Sequence, residues 1–178
     1  MASDEELMSA VAAGDLQAFG EIVERHQAPM YRAALRFLGN GEDAQDVAQE
    51  AFLRLLDAAP RYKPSASLKT YLYRIVSNLC LDRKRRPRHE PLEDFPELTD
   101  AALSPMDRMV RLERERAVRE ALDEIPDRQR MAIVLRHFEG MSYTEMAEVL
   151  ETSEKGIEGL LGRGRAALLQ ELGPFLGE

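Results

Sequence analysis

Between His89 and Asp107 the chain changes character abruptly: Pro91, Pro96 and Pro105 follow a flanking Pro87, six acids accumulate, and neither Lys nor Arg occurs. Proline fixes φ and removes a backbone donor, so this stretch cannot carry a continuous helix, and its like charges favour an extended tether. A 178-residue chain interrupted here divides into two small cores, and 44% hydrophobic residues are enough to fill both. The expected organisation is a first domain over 1–88, a flexible acidic, Pro-containing linker over 89–107 and a second domain over 108–178. A tether this acidic also fits a second role, folding back over a basic surface when no ligand occupies it.

Both halves read as all-α. Apolar residues recur at three- and four-residue spacing, boundaries carry cap residues, and no segment alternates as a strand would. Ser3 with Glu6 forms a capping box, and Gly14-Asp15 opens a second helix presenting Phe19, Ile22, Val23, Met30, Leu35 and Leu38. Pro29 predicts a kink or break in it. Asn40 caps a third helix with Val47, Phe52, Leu55 and Leu56, closed by Pro60. Ser67 caps a long fourth helix, with Leu68, Leu72, Ile75, Val76 and Leu79 inward, ending at Pro87. Ser104-Pro105 is an N-cap followed by proline at the first helical position, opening a helix that runs to Ile125; Pro126-Asp127 separates it from another ending at Gly140.

Charge is distributed unevenly. The protein is formally −8, yet Arg61, Lys63, Lys69, Arg74, Arg83, Lys84, Arg85, Arg86 and Arg88 crowd one stretch against the single acid Asp82. Everything outside that stretch therefore sums to −16. Cations interleaved with Tyr62, Tyr71 and Tyr73 suit a polyanion with exposed bases, because cations meet phosphates while rings stack on base faces. The same pattern also fits a solvated helix face with its tyrosines in a core.

A helix-turn-helix pattern occupies Tyr143 to about Leu168. Ser142-Tyr143-Thr144-Glu145 is a capping box, Ala147 is small where two helices cross, Glu151-Thr152-Ser153 is the turn, and Ile157 and Leu160 hold the second helix. An ordinary helical hairpin can share this spacing. As a DNA reader, the second helix would put Lys155, Glu158, Gly159 and Gly162 outward, with Arg163 and Arg165 flanking as phosphate clamps.

Other chemistries find little support. Cys80 is the lone cysteine, which excludes an internal disulfide or thiolate cluster. His26, His89 and His137 follow Val23, Arg86 and Val134 at three-residue spacing, so no Glu-x-x-His metal pair exists, and no phosphate loop or nucleophile motif occurs. Neither catalysis nor a metal or cofactor is expected. The apolar runs are short and the N-terminus MASDEELM is acidic where a secretory signal is basic, so neither membrane insertion nor export is expected and a cytoplasmic location is the default.

The segment Asp43-Ala44-Gln45-Asp46-Val47-Ala48-Gln49-Glu50-Ala51-Phe52-Leu53-Arg54-Leu55, then Leu68 to Asn78, then Asp82 and the basic run, resembles the second conserved domain of bacterial sigma factors. Pro126 to Arg130, Leu135-Arg136 and Ser142 to Leu150 resemble the fourth. With these two domains only, the chain resembles an extracytoplasmic-function sigma factor of the sigma-70 family. The resemblance implies docking of Asp43, Asp46, Gln49, Glu50 and Arg54 on the clamp helices of the largest subunit of core RNA polymerase. A further contact to the flap region of the polymerase is implied. For the −10 element of promoter DNA it implies Tyr62, Lys63, Ser67, Lys69, Tyr71, Arg74, Asn78, Arg83, Arg85 and Arg86, with Asn78 and Tyr62 holding an unstacked base. For the −35 element it implies Ser142, Thr144, Ser153, Lys155, Glu158, Arg163 and Arg165. It also implies an anti-sigma partner and a bacterial cytoplasm.

Two departures from the family pattern stand out. Tyr71 occupies a position where many relatives have Trp, and Lys155-Gly156-Ile157-Glu158-Gly159-Leu160-Leu161 replaces a frequent Gly-Thr-Val-Lys-Ser-Arg-Leu. Gly156, Gly159, Gly162 and Gly164 each cost a helix about 1 kcal/mol against Ala, so either close approach to DNA compensates or the helix frays until bound. Glu158 repels phosphate unless it accepts from a cytosine amino group. The competing function is a helix-turn-helix regulator that binds duplex DNA without polymerase.

Overall fold

A computed structural model describes residues 2–63, 65–85 and 104–176. Among them are eight α-helices and no strand: α1 Asp4–Ala12, α2 Leu16–Leu38, α3 Gly41–Ala58, α4 Leu68–Lys84, α5 Pro105–Asp123, α6 Asp127–Ile133, α7 Tyr143–Val149 and α8 Glu154–Leu176. The caps lie where the sequence places them. Ser3 and Ser142 each close a full capping box, while Asp15, Asn40, Ser67 and Ser104 each accept from a first-turn backbone N–H.

The first half is a bundle of α1 to α4. Leu7, Met8 and Val11 of α1 are buried with Ile22 and Met30 of α2, Val47, Phe52 and Leu55 of α3, and Leu72, Val76 and Cys80 of α4. Asp4 ties α1 to α2 through Arg25 at 3.1 Å and His26 at 2.8 Å. Contrary to expectation, α2 does not break at Pro29 and runs through it to Leu38. Proline removes one ladder hydrogen bond. The buried row Met30, Ala33, Ala34, Phe37 and Leu38 beyond it anchors the next two turns to the core, which outweighs that loss. The helix then stops at Gly39, whose φ of 72° lets its N–H return to Leu35 O at 2.8 Å.

The second half packs α6 and α7 against α8, with Ala121, Leu122 and Ile125 closing one side. Between α6 and α7 the chain widens into a π-helical turn, Val134–Phe138, closed by Glu139 N–H to Val134 O at 3.2 Å. The α7–turn–α8 unit is a helix-turn-helix: Glu151 adopts φ 51° at the turn, and Ile157 and Leu161 are fully buried. Helix α5 begins at Pro105, inside the stretch assigned by sequence to the linker, because Ser104 Oγ accepts from Asp107 N–H and nucleates it there. The remainder of that linker, with Arg86 and Pro87, lies outside the described residues.

The glycines of α8 do not interrupt it; it is one helix of 23 residues. A Cβ on Gly164 would stand 2.8 Å from Ile133 Cδ1, and one on Gly156 2.2 Å from Thr152 Oγ1. Close packing against α6 and against the turn, both without DNA, thus accounts for two of the four. Gly162 faces open space. Gly162→Ala is therefore expected to stabilise the protein by about 1 kcal/mol, whereas Gly164→Val should cost about 1–3 kcal/mol through overpacking. Thermal unfolding of the two variants gives shifts of opposite sign if this account holds.

Candidate nucleic-acid and polymerase interfaces

The loop between α3 and α4 and the first turns of α4 form a small pocket. Tyr62, Lys63, Ser65, Ala66, Thr70, Tyr71 and Arg74 line it, together with Glu148 from α7. Tyr62 and Tyr71 meet edge to face with ring centroids 5.1 Å apart. The Tyr62 hydroxyl is buried with no hydrogen-bond partner among the described residues. Burial, then the neighbouring Tyr71 and the carboxylates Glu5 and Asp4, push its pKa up, so the hydroxyl stays protonated. Two rings with two cations on the same pocket wall suit a planar, anionic ligand.

The other −10 candidates distribute differently. Lys69 and Asn78 are exposed on α4 and Arg85 at its C-cap, while Arg74, also exposed, lines the pocket. Asn78 lies two turns beyond Tyr71, about 10 Å along the axis by helical rise, and outside the pocket lining. Structure therefore separates two groups that the resemblance had placed at one site. Ser67 is committed to capping α4, through Thr70 N–H at 3.1 Å. Arg83 sits between carboxylates, with Nε donating to Asp43 Oδ1 at 2.9 Å and Nη2 to Asp46 Oδ2 at 3.0 Å. Tyr73 is core, as the alternative reading had it, and its hydroxyl donates to Glu139 at 2.6 Å.

The α3 candidates form a face. Asp46, Gln49, Glu50 and Arg54 are exposed and border a groove whose floor includes Val47 and Leu79, with Leu53 standing out at its rim, 56% exposed. Arg54 pairs with Glu50 at 3.0 Å across one helical turn. Acids around an accessible leucine can receive a partner helix that carries cations beside an apolar stripe.

On the helix-turn-helix, Ser142, Thr144, Ser153, Lys155, Glu158, Arg163 and Arg165 are all exposed. Thr144 donates to Glu154 at 2.8 Å and Arg165 Nε approaches His137 at 3.4 Å. Burial, then Arg165 and Arg136, lower the pKa of His137, which keeps the ring neutral near pH 7.

Sigma-70 region 2 matches residues 22–90 and sigma-70 region 4 matches residues 115–168. The ECF RNA polymerase sigma factor SigM of Mycobacterium tuberculosis is 34% identical over 96% of this chain and 85% of its own length. The chain belongs to the ECF sigma factors. SigW of Bacillus subtilis is 31% identical over 91% of this chain and 92% of its own. Among solved structures, CnrH in complex with the cytosolic domain of CnrY superposes with a TM-score of 0.73 at 32% identity, covering 96% of this chain and 97% of that one. RpoE of Bartonella quintana, solved with the anti-sigma factor NepR, shares the fold at 19% identity, with a TM-score of 0.67 over 86% of this chain and 96% of that one. The protein is thus an alternative sigma factor that directs polymerase to promoters. No described helix is long and apolar enough to cross a membrane.

What sequence reasoning missed is the contact between the sigma factor's two halves. Glu139, whose side chain is only 6% exposed, accepts from Arg36 at 2.7 Å and from Tyr73, and Arg36 stacks over Phe138 at 4.8 Å. Arg130, 1% exposed, reaches from α6 to Asp123, to Arg36 O at 3.3 Å and over the Phe37 ring. Lys84 bonds the same Asp123 at 3.2 Å, and Arg74 pairs with Glu151. These charges lie far apart in sequence, and no local pattern signals them.

Glu139→Ala should leave Tyr73 and Arg36 without their acceptor and loosen the junction by about 1–3 kcal/mol. Spin labels at Leu16→Cys and Leu169→Cys read this as a longer, broader distance distribution. The junction also depends on acid. Burial alone would raise the Asp123 carboxyl, but Arg130 and Lys84 outweigh it and hold the pKa below the usual range. Its contribution is therefore complete above the unfolded value of about 3.9 and disappears as pH falls through the lower folded value. The same label pair should stay short at pH 5 and lengthen below about pH 4, and Asp123→Asn should remove that acid step.

Proposed function

We propose that the three surfaces divide promoter initiation between them. The α3 face of Asp43, Asp46, Gln49, Glu50 and Arg54 docks on the clamp helices of the largest polymerase subunit, and the second half engages the flap region. The Tyr62–Tyr71 pocket takes a non-template base of the −10 element out of the stack, with Lys63, Lys69, Arg74 and Arg85 at phosphates and Asn78 at a neighbouring nucleotide. Lys155 and Glu158, at the N-terminal end of α8, read the −35 element, while Ser142, Thr144, Ser153, Arg163 and Arg165 contact its backbone. The work is done in the bacterial cytoplasm. The observation that carries this reading is the Tyr62–Tyr71 ring pair in a pocket that Lys63 and Arg74 also line.

The junction bears on how the factor is held inactive. Glu148 lines the base pocket and Glu151 occupies Arg74, so α7 and single-stranded DNA compete for the same groups. Capture of the −10 strand requires α7 to withdraw. The likeness to CnrH, solved in complex with the cytosolic domain of CnrY, supports a protein partner for this chain as well, and an anti-sigma factor is the partner its family implies.

Stacking on an aromatic side chain is worth about 1–3 kcal/mol per base, so Tyr62→Ala should reduce open complex about tenfold while leaving duplex binding by holoenzyme largely intact. Permanganate reactivity of thymines across the start site measures opening directly. A pre-opened −10 bubble should restore most of the lost run-off transcript. Wild-type thymine reactivity in Tyr62→Ala would remove the base-capture role.

A further inference from the structure

We propose that Arg83 is a positioning residue of the polymerase-docking face, holding the Asp43 and Asp46 carboxylates in their receiving geometry, rather than a contact to promoter phosphate. The inference rests on the docking reading of α3 and assigns to that site a residue from a different helix.

Arg83 lies in the last turn of α4, and the two aspartates lie one turn apart at the start of α3. Its fork spans them: Nε and Nη2 both reach Asp43 Oδ1, at 2.9 and 2.8 Å, and Nη2 also reaches Asp46 Oδ2 at 3.0 Å. A planar guanidinium across two carboxylates restricts both rotamers, which a point-charge ammonium does less well. The groove bordered by Asp46, Gln49 and Glu50 has Arg83 itself in its wall, beside Leu79 and Asp82. The guanidinium is therefore part of the docking surface.

Charge leads to the same place. Glu42, Asp43, Asp46 and Glu50 crowd the first turns of α3, and Asp46 is 53% exposed at its side chain. Without a cation between them, Asp43 and Asp46 repel each other and Asp46 samples several rotamers, all but one of which must be given up on docking. A phosphate approaching Arg83 meets the opposite situation: it must displace two carboxylates already in hydrogen-bond contact. Arg85 offers the contrast, with 74% side-chain exposure and its nearest acid, Asp82, at 3.8 Å. The basic stretch is thus split: Arg85 is available to DNA, while Arg83 turns inward to the acids of α3.

The test uses full-length protein and two readouts: affinity for core polymerase, and the salt slope of holoenzyme binding to promoter duplex. Arg83→Gln should weaken core binding about fivefold to tenfold, from the ordering of one or two side chains that is no longer prepaid. Arg83→Lys should recover part of that loss, and Arg83→Gln combined with Asp46→Asn should lose less than the product of the single effects. The salt slope should be unchanged by Arg83→Gln but fall by about one for Arg85→Ala. A reduced slope with unaltered core affinity would return Arg83 to DNA. Strictly multiplicative losses, or tighter core binding once Arg83 is gone, would equally overturn the proposal, the latter by showing that Arg83 competes with polymerase for the aspartates. If Arg83→Gln fails to fold by circular dichroism, Arg83→Lys and Asp46→Asn alone decide by the same criteria. Normal core affinity in the double variant Asp46→Lys with Glu50→Lys would overturn the docking reading of α3 itself, which separates the two failures.

Discussion

A carboxylate withdrawn from water must be paired, and Glu139 meets that requirement with groups from the other half of the molecule. Its side chain accepts from Arg36 of α2 and Tyr73 of α4, while Arg130, equally withdrawn, is spent on Asp123, the Arg36 carbonyl and the Phe37 ring. Ionised groups in such places are stable only with several good partners, because each carries a desolvation penalty of several kcal/mol. That requirement acts together with apolar packing in setting how the halves sit. The π-helical turn Val134–Phe138 contributes by presenting Phe138 and Glu139 to α2 at its end. Tyr73 follows from the same contact: burial and the adjacent Glu139 carboxylate push its pKa far above the usual phenol range, so its hydroxyl stays protonated and donates to Glu139.

The junction gives the basic stretch a different meaning from the one its composition suggests. Nine cations against one acid read as a single polyanion-binding strip. In the folded chain Arg74 is taken by Glu151, Lys84 by Asp123 and Arg83 by Asp43 and Asp46, while Arg61, Lys63, Lys69 and Arg85 remain exposed. Excess negative charge elsewhere in the chain is thus used to pair part of the strip. Surface pairs such as Arg74–Glu151 are weak individually and yield readily to a competing polyanion, whereas those involving Arg130 and Glu139 are shielded from salt and persist.

Shape rather than charge governs α8. Four glycines in ten residues suggest a helix that frays, yet Gly164 is where α8 crosses Ile133 and Gly156 is where it turns from Thr152. A side chain at either place would separate elements whose contact buries Ile157 and Leu161. Packing within the protein thus accounts for Gly156 and Gly164, and α8 is one continuous helix despite the cost of the other two.

Local chemistry carried much of this protein in its sequence. The Ser3, Asp15, Asn40, Ser67, Ser104 and Ser142 caps, the apolar spacing and the helix-turn-helix depend on residues within a few positions of one another, and each was legible because a cap or an amphipathic stripe is satisfied locally. The fold class and the family followed from such features and from linked motifs. Tertiary structure alone decided the rest: that α2 continues through Pro29, that Tyr73 is core while Tyr62 borders a pocket, and that Arg83 faces α3. The reason is the same in each case. A periodic pattern states which face of a helix is buried, but ion pairs such as Arg36 with Glu139, 103 residues apart, depend on where whole helices come to rest. That position is set by packing and by the cost of burying unpaired charge, and neither leaves a local mark on the chain.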